Sequence, residues 1–213
     1  LLGLASDHAS ANLSDQITDL TGAFRKRGVF ASSTVIKADA FADGLTAGIQ
    51  ALRGAFFRPN MLFLTCPNSE PREQDYRTIL DDLSDMPIGL LIYAAHPHAG
   101  LGQREKINIW IHDRSPDWSI SMDIGNLDLP LLTAYKLVQN WDAQMRLVTT
   151  VADPDQQGRA QDFLEKLIDL GRFPNSTAVA GTMPFAEYLP TAPQADLNIF
   201  GLQPEPDFEV IRE

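Results

Sequence analysis

The sequence predicts an α/β fold of two lobes, each a mostly parallel sheet flanked by helices. Three observations lead there. Short apolar, β-branched runs alternate along the chain with longer stretches whose apolar residues recur every three or four positions, the pattern of strands and helices in layers. The run Met61-Leu62-Phe63-Leu64-Thr65 is almost continuously apolar, as suits a strand buried on both faces of a parallel sheet. Finally, a helix, strand, helix, strand series appears twice, ending at residues 61–65 and again at 197–200. Val35 matches Val179 and Phe41 matches Phe185 at a common offset of 144, as an internal duplication would give.

The elements follow in order. Ser14 is placed to cap a helix with the stripe Ile17, Leu20, Phe24, stopped by Gly28. Residues 29–36 are β-rich and read as a strand. Asp39 is placed to cap a helix carrying Phe41, Leu45, Ile49 and Leu52. After the turn Arg58-Pro59-Asn60 comes the strand 61–65, then a helix over 72–85 (Tyr76, Ile79, Leu80, Leu83) and a strand over 88–94. Residues 96–102 form a loop rich in Gly, Pro and His. Ile107, Ile109 and Ile111 then alternate with Asn108, Trp110 and His112. Beyond a polar loop, Trp118, Ile120 and Met122 alternate with Ser119, Ser121 and Asp123. Two period-two runs about a tight loop predict a hairpin with one wetter face.

Asp128 is a good cap for the next helix, with Pro130 in its first turn. A strand over 145–151, a helix over 154–170 closed by Gly171, a strand near 177–180, a short helix at 184–188 and a strand at 197–200 complete the series. The expected organisation is a first lobe over 1–95, a loop and hairpin connector over 96–126, and a second lobe over 127–213. Under the duplication, the helix and strand of 128–151 have only Leu1 to Ala5 as a partial counterpart. Residues 207–211 resemble the start of the helix at 75 onward. Structure beyond both ends is therefore expected.

Composition narrows the function. With 17 basic and 28 acidic side chains the net charge is −11, and the pI is about 4.7. Nucleic acid and anionic bilayers need a basic face, so neither is expected as a partner. One cysteine, Cys66, permits no internal disulfide and no thiolate zinc cluster. No apolar run reaches the roughly 20 residues that span a bilayer, so this segment is not expected to insert directly.

Motifs for catalysis are sparse. The sequence has no GxxxxGK[ST], no GxGxxG after a strand, no GxSxG and no HExxH. Gly100-Leu101-Gly102 reads as a turn. His96 and His98 would share a metal if both lay on one strand, but Pro97 and the lack of a nearby third ligand favour a plain loop, and no metal is expected. In doubly wound sheets ligands bind beyond the carboxyl ends of strands, which makes Thr65, Cys66 and Asn68 a candidate ligand lip; an inconsequential half-buried thiol is the plainer alternative. Arg53 and Arg58 near Phe56-Phe57 read as cations over aromatics rather than phosphate ligands. Nothing converges on a reaction class, so an enzyme is not expected.

Five segments carry a family resemblance. Arg27-Gly28-Val29-Phe30-Ala31-Ser32-Ser33-Thr34-Val35-Ile36 with Ala51-Leu52-Arg53-Gly54-Ala55-Phe56-Phe57-Arg58-Pro59-Asn60 resembles the C-terminal cytosolic domain of prokaryotic cation–chloride cotransporter-like permeases, of the amino acid–polyamine–organocation superfamily. Ile107 to His112, Asp123-Ile124-Gly125-Asn126-Leu127-Asp128-Leu129-Pro130, and Ala195-Asp196-Leu197-Asn198-Ile199-Phe200-Gly201-Leu202 are similar to segments of the same domain in Na–K–Cl and K–Cl cotransporters. The resemblance implies universal-stress-protein-like lobes and a regulatory, dimerising role beneath a transport domain of the same polypeptide, at the cytosolic face of the plasma membrane. Some relatives are thought to hold an adenine nucleotide, but Gly201 is followed by Leu202-Gln203-Pro204, which departs from the glycine series that ATP would need there. No other cofactor is implied. On this reading Trp110, His112 and Trp118 on the hairpin form a lobe–lobe or protomer–protomer surface. A soluble, nucleotide-binding stress-type protein is the alternative.

Overall fold

The computed structural model describes residues 1–5, 10–56, 58–120, 127–203, 206–208 and 211. They form two compact units. One comprises Leu1–Ala94 with Asp207–Glu213, the other Ala95–Pro206.

In the first unit the order is β1 (Leu2–Ala5), α1 (Ser10–Lys26), β2 (Thr34–Lys37), α2 (Phe41–Arg53), β3 (Met61–Thr65), α3 (Glu70–Ser84) and β4 (Gly89–Tyr93). β1 pairs with β2 and β3 with β4, both in parallel. β1 is the strand glimpsed as a remnant in the sequence, and it pairs with β2 as β6 does with β7 in the second unit. The β-rich stretch 29–36 yields a strand only from Thr34, and Val29 and Phe30 are exposed.

Helix α1 starts at Ser10, so Ser14 lies inside it rather than at its cap. Gly28, at φ 78°, takes the left-handed turn that ends it. Asp39 does not cap α2, whose N-cap is Ala40. Buried Ala42, Leu45 and Ile49 of α2 meet Tyr76, Ile79 and Leu83 of α3 in one core with Leu2, Leu4, Leu62 and Leu64. Gly44 and Gly48 let α2 lie close on β1. A Cβ at Gly48 would collide with Leu2 and Ile36, and one at Gly44 with Leu4 and Ala38.

The second unit runs β5 (Lys106–Ile111), α4 (Asp128–Trp141), β6 (Gln144–Thr150), α5 (Gln157–Gly171), β7 (Ser176–Gly181), α6 (Phe185–Tyr188) and β8 (Leu197–Phe200). All its strands are parallel, in the order β7-β6-β5-β8. Ile107, Ile109 and Ile111 of β5 and Met145 and Leu147 of β6 face Leu131, Ala134 and Val138 of α4 and Phe163, Leu164 and Leu167 of α5. Each such aliphatic side chain stabilises by about 1.5–3 kcal/mol relative to exposure. Helix α5 continues through Gly171, and Arg172 takes the left-handed cap at φ 49°.

Among the described residues the hairpin expected over 96–126 is not formed. The alternation in 107–111 is real, but this strand is central and has parallel neighbours on both edges. Residues 117–120 carry no strand, and Met122 lies outside the described residues. The period-two pattern arises because β5 has two chemically different covered faces: isoleucines under helices, and Asn108 with Trp110 under a polar and aromatic layer. The segment 96–126 is therefore no connector, since β5 is the middle of the second unit's sheet.

Candidate functional site

The richest polar and aromatic constellation lies on the sheet face of the second unit opposite α4 and α5. The register of β8-β5-β6 aligns Asn198, Asn108 and Arg146 in one row, and Phe200, Trp110 and Val148 in the next row on that face. Asn198 Oδ1 accepts from Trp110 Nε1 at 2.9 Å and from Asn108 Nδ2 at 3.1 Å. Asn108 Nδ2 also donates to Pro193 O at 2.7 Å, and Asn108 Oδ1 accepts from Arg146 Nη1 at 3.2 Å. These bonds satisfy Asn108, which is 1% exposed, at a depth where an unpaired amide would cost about 1–3 kcal/mol.

Trp110 stacks on Phe200 with ring centroids 5.6 Å apart, and meets Phe185 and Tyr188 edge-on at 5.4 and 6.1 Å. The indole itself is buried, whereas Phe185 and Phe200 are 41% and 46% exposed, with Met183 and Leu189 similarly open. Trp110 is thus the floor of an apolar patch and does not present its own surface. Short α6 explains the exposure: it spans Phe185–Tyr188, whereas α2, also lying between a strand pair and the next strand, spans Phe41–Arg53.

His112, just past β5, is exposed. Trp118 is half-buried and packs on Phe163 with ring centroids 5.7 Å apart, while Arg114 lies over the same ring. Trp110 and Trp118 therefore lie on opposite faces of the sheet, the first against Phe185 and Phe200 and the second against Phe163 of α5. Arg114 Nη1, Trp118 Nε1 and Gln156 Oε1 are buried without a hydrogen-bond partner.

In the first unit, Thr65 is the last residue of β3, and Cys66 and Asn68 lie just beyond it. The backbone of Thr65 and Cys66 is engaged in the fold: Tyr76 Oη donates to Thr65 O at 2.5 Å, and Cys66 N donates to Tyr93 O at 2.7 Å. Burial above all pushes the Tyr76 phenol upward, against the hydrogen bond at Thr65 and the Arg72 guanidinium. Asn68 is exposed. His96 and His98 sit in an exposed turn where His96 Nδ1 accepts from Ala99 N at 3.0 Å. That bond uses the lone pair a metal would need. Among the described residues no three His, Cys, Asp or Glu side chains are grouped to hold a metal.

One structural device escaped the sequence reading. The Asp196 carboxylate accepts from the backbone N–H groups of Gln103, Glu105 and Lys106, each at 2.9 Å, and ties the loop before β5 to the start of β8. Gly102, at φ 52°, lies against it, and a Cβ there would collide with Asp196. The bond from Gln103, followed by those from Glu105 and Lys106, holds the Asp196 carboxyl below its ordinary range. A depressed folded pKa means stability gained above the unfolded value of about 3.9 and lost as pH falls through the folded value. Asp196→Ala should cost about 0.5–2 kcal/mol at neutral pH, as for loss of a capping side chain. The difference from wild type should shrink below about pH 4, as urea titrations at both pH values would show.

Paired parallel ladders under flanking helices define a universal-stress-protein-like α/β architecture. A solved structure of a putative universal stress protein from Pseudomonas aeruginosa UCBPP-PA14 matches with a TM-score of 0.60 at 15% identity, covering 96% of this chain and 72% of that one; at that identity it shows the fold alone. The chain belongs to the C-terminal domain family of prokaryotic cation-chloride cotransporters. The family model for the first such domain matches residues 1–101 and that for the second matches 102–213. The crystal structure of the cytoplasmic domain of a prokaryotic cation chloride cotransporter matches with a TM-score of 0.87 at 39% identity, covering 100% of this chain and 78% of that one. Among curated proteins none matches.

Proposed function

We propose that this chain is a regulatory and dimerising domain on the cytosolic side of a cation–chloride cotransporter, without catalysis of its own, acting on the membrane part of the same polypeptide. The observation that carries the reading is the exposed aromatic pair Phe185 and Phe200, edge-on with ring centroids 6.1 Å apart and supported from beneath by Trp110. Exposed apolar clusters of this kind mark protein–protein contact, and the rigid aromatic floor limits the entropy lost on docking. Family membership supplies the context. Among the described residues no helix is long and apolar enough to cross a membrane, so the ion path would lie elsewhere in the polypeptide. Regulation then means that the patch makes different contacts in two transport states.

Sedimentation equilibrium tests the surface. The wild-type chain is expected to self-associate, and Phe185→Ser with Phe200→Ser to be monomeric with its circular dichroism unchanged. Equal association by both would refute the patch as the dimer contact. The alternative reading, a stress-type nucleotide binder, is favoured by the buried, unpartnered Arg114 Nη1, Trp118 Nε1 and Gln156 Oε1 in segments following β5 and β6. Binding there would raise the melting temperature saturably with millimolar ATP.

A further inference from the structure

The first unit contains two ladders that share one core and yet do not join. Leu2 and Leu4 of β1 pack into the same cluster as Leu62 and Leu64 of β3, so the two strands present these side chains to the same helices. Among the described residues, β1 is hydrogen-bonded only to β2, and β3 only to β4. Each therefore shows an open edge, which natural sheets pair or cover.

The second unit shows what such a sheet looks like when continuous. β6 pairs with β7 as β1 pairs with β2, with α5 and α1 as the respective connections, and β8 follows as β3 does. Between β6 and β8 lies β5, hydrogen-bonded to both. Among the described residues the first unit has the outer strands of this arrangement and no counterpart of β5.

The side chains agree. Gly3 and Val35 face α1, with Ile17 and Leu13 against Gly3. Leu2 and Leu4 face α2 and share its core with Leu62 and Leu64, so alternation turns Met61 and Phe63 to the α1 side. There Met61 is 40% and Phe63 62% exposed, and Leu20 and Phe24 of the α1 stripe are also open. In the second unit the corresponding β8 residues, Leu197 and Ile199, pack against the core that α4 and α5 build. The first unit has a counterpart of α5 in α1, but none of α4.

We infer that the first unit takes one more parallel strand, between β1 and β3, followed by a helix that covers Met61, Phe63, Leu20 and Phe24. Chain order names the occupant. β5 and α4 immediately precede β6, so their counterparts immediately precede β1, in the polypeptide upstream of Leu1. The crystallised relative has length to spare, since this chain covers 78% of it. The inference stands apart from the regulatory reading and uses neither the patch near Trp110 nor self-association.

The test compares residues 1–213 with the parent polypeptide's version extended upstream by about 40 residues, enough for a strand, a helix and their loops. Hydrogen exchange read on Leu2, Leu4, Phe63 and Thr65, whose N–H groups point away from β2 and β4 in the two ladders, should slow at least tenfold in the extended chain, and binding of an apolar fluorescent dye should fall. Phe63→Asp should lower the melting temperature of the extended chain by several degrees and barely change that of residues 1–213. Equal exchange, equal dye binding and an equal Phe63→Asp effect in the two chains would overturn the inference. So would protection in residues 1–213 alone that rises with protein concentration, because a second copy would then be the occupant.

Discussion

Replacing Trp110 by alanine should destabilise the second unit by about 3–5 kcal/mol, the cost of truncating a buried aromatic. Trp110 is 5% exposed, stacks on Phe200, meets Phe185 and Tyr188 edge-on and donates to Asn198. Removing the indole leaves a void beneath α6 and deprives Asn198 Oδ1 of one of its two donors. Trp110→Phe keeps most of the stacking and loses the N–H, and should cost about 1 kcal/mol for the bond plus a smaller packing loss. Chemical denaturation followed by far-ultraviolet circular dichroism separates the two. If Trp110→Ala unfolds at the wild-type midpoint, the aromatic floor is not a structural element. Trp118→Ala should cost less, because Trp118 is half-buried and its Nε1 has no partner to lose.

Phe208→Ala carries the second large effect, also about 3–5 kcal/mol. Phe208 follows the second unit in sequence yet packs in the first, 1% exposed, edge-on to Tyr76 with ring centroids 5.8 Å apart and 5.7 Å from the Arg77 guanidinium. The loss should fall on the first unit alone. Hydrogen exchange resolved by segment would show faster exchange in α2 and α3, with α4 and α5 unchanged. Acceleration confined to the second unit would contradict the assignment of residues 207–211 to the first.

Particular residues show where the sequence was informative. Leu197–Phe200 was placed to the residue because an apolar run ends at Gly201 and follows a proline-bearing loop. The helices with strong stripes, such as α3 with Tyr76, Ile79 and Leu83, were legible because burial follows the 3.6-residue period. β1 was visible only through the repeat, since four residues carry too little periodicity. The hairpin failed at Trp118 and Ile120: their alternation matches a strand, but the segment is used to lay an indole over Phe163. Asp196 was missed because its three donors are about 90 residues earlier in the chain. The nearest local hint was an aspartate directly before an apolar strand, which alone cannot name a partner. The open face of the first unit was hidden for the opposite reason, because Leu20 and Phe24 read as buried stripe residues when their cover lies outside the chain.

The measurement that tests the account most directly is cation-dependent chloride flux by the full-length parent protein in proteoliposomes, with and without Phe185→Ser and Phe200→Ser. The account predicts flux altered at least several-fold at equal incorporation, with the ion affinities of the membrane part unchanged. Wild-type flux from a variant shown to be monomeric would contradict it, because the patch would then play no part in setting the transport state.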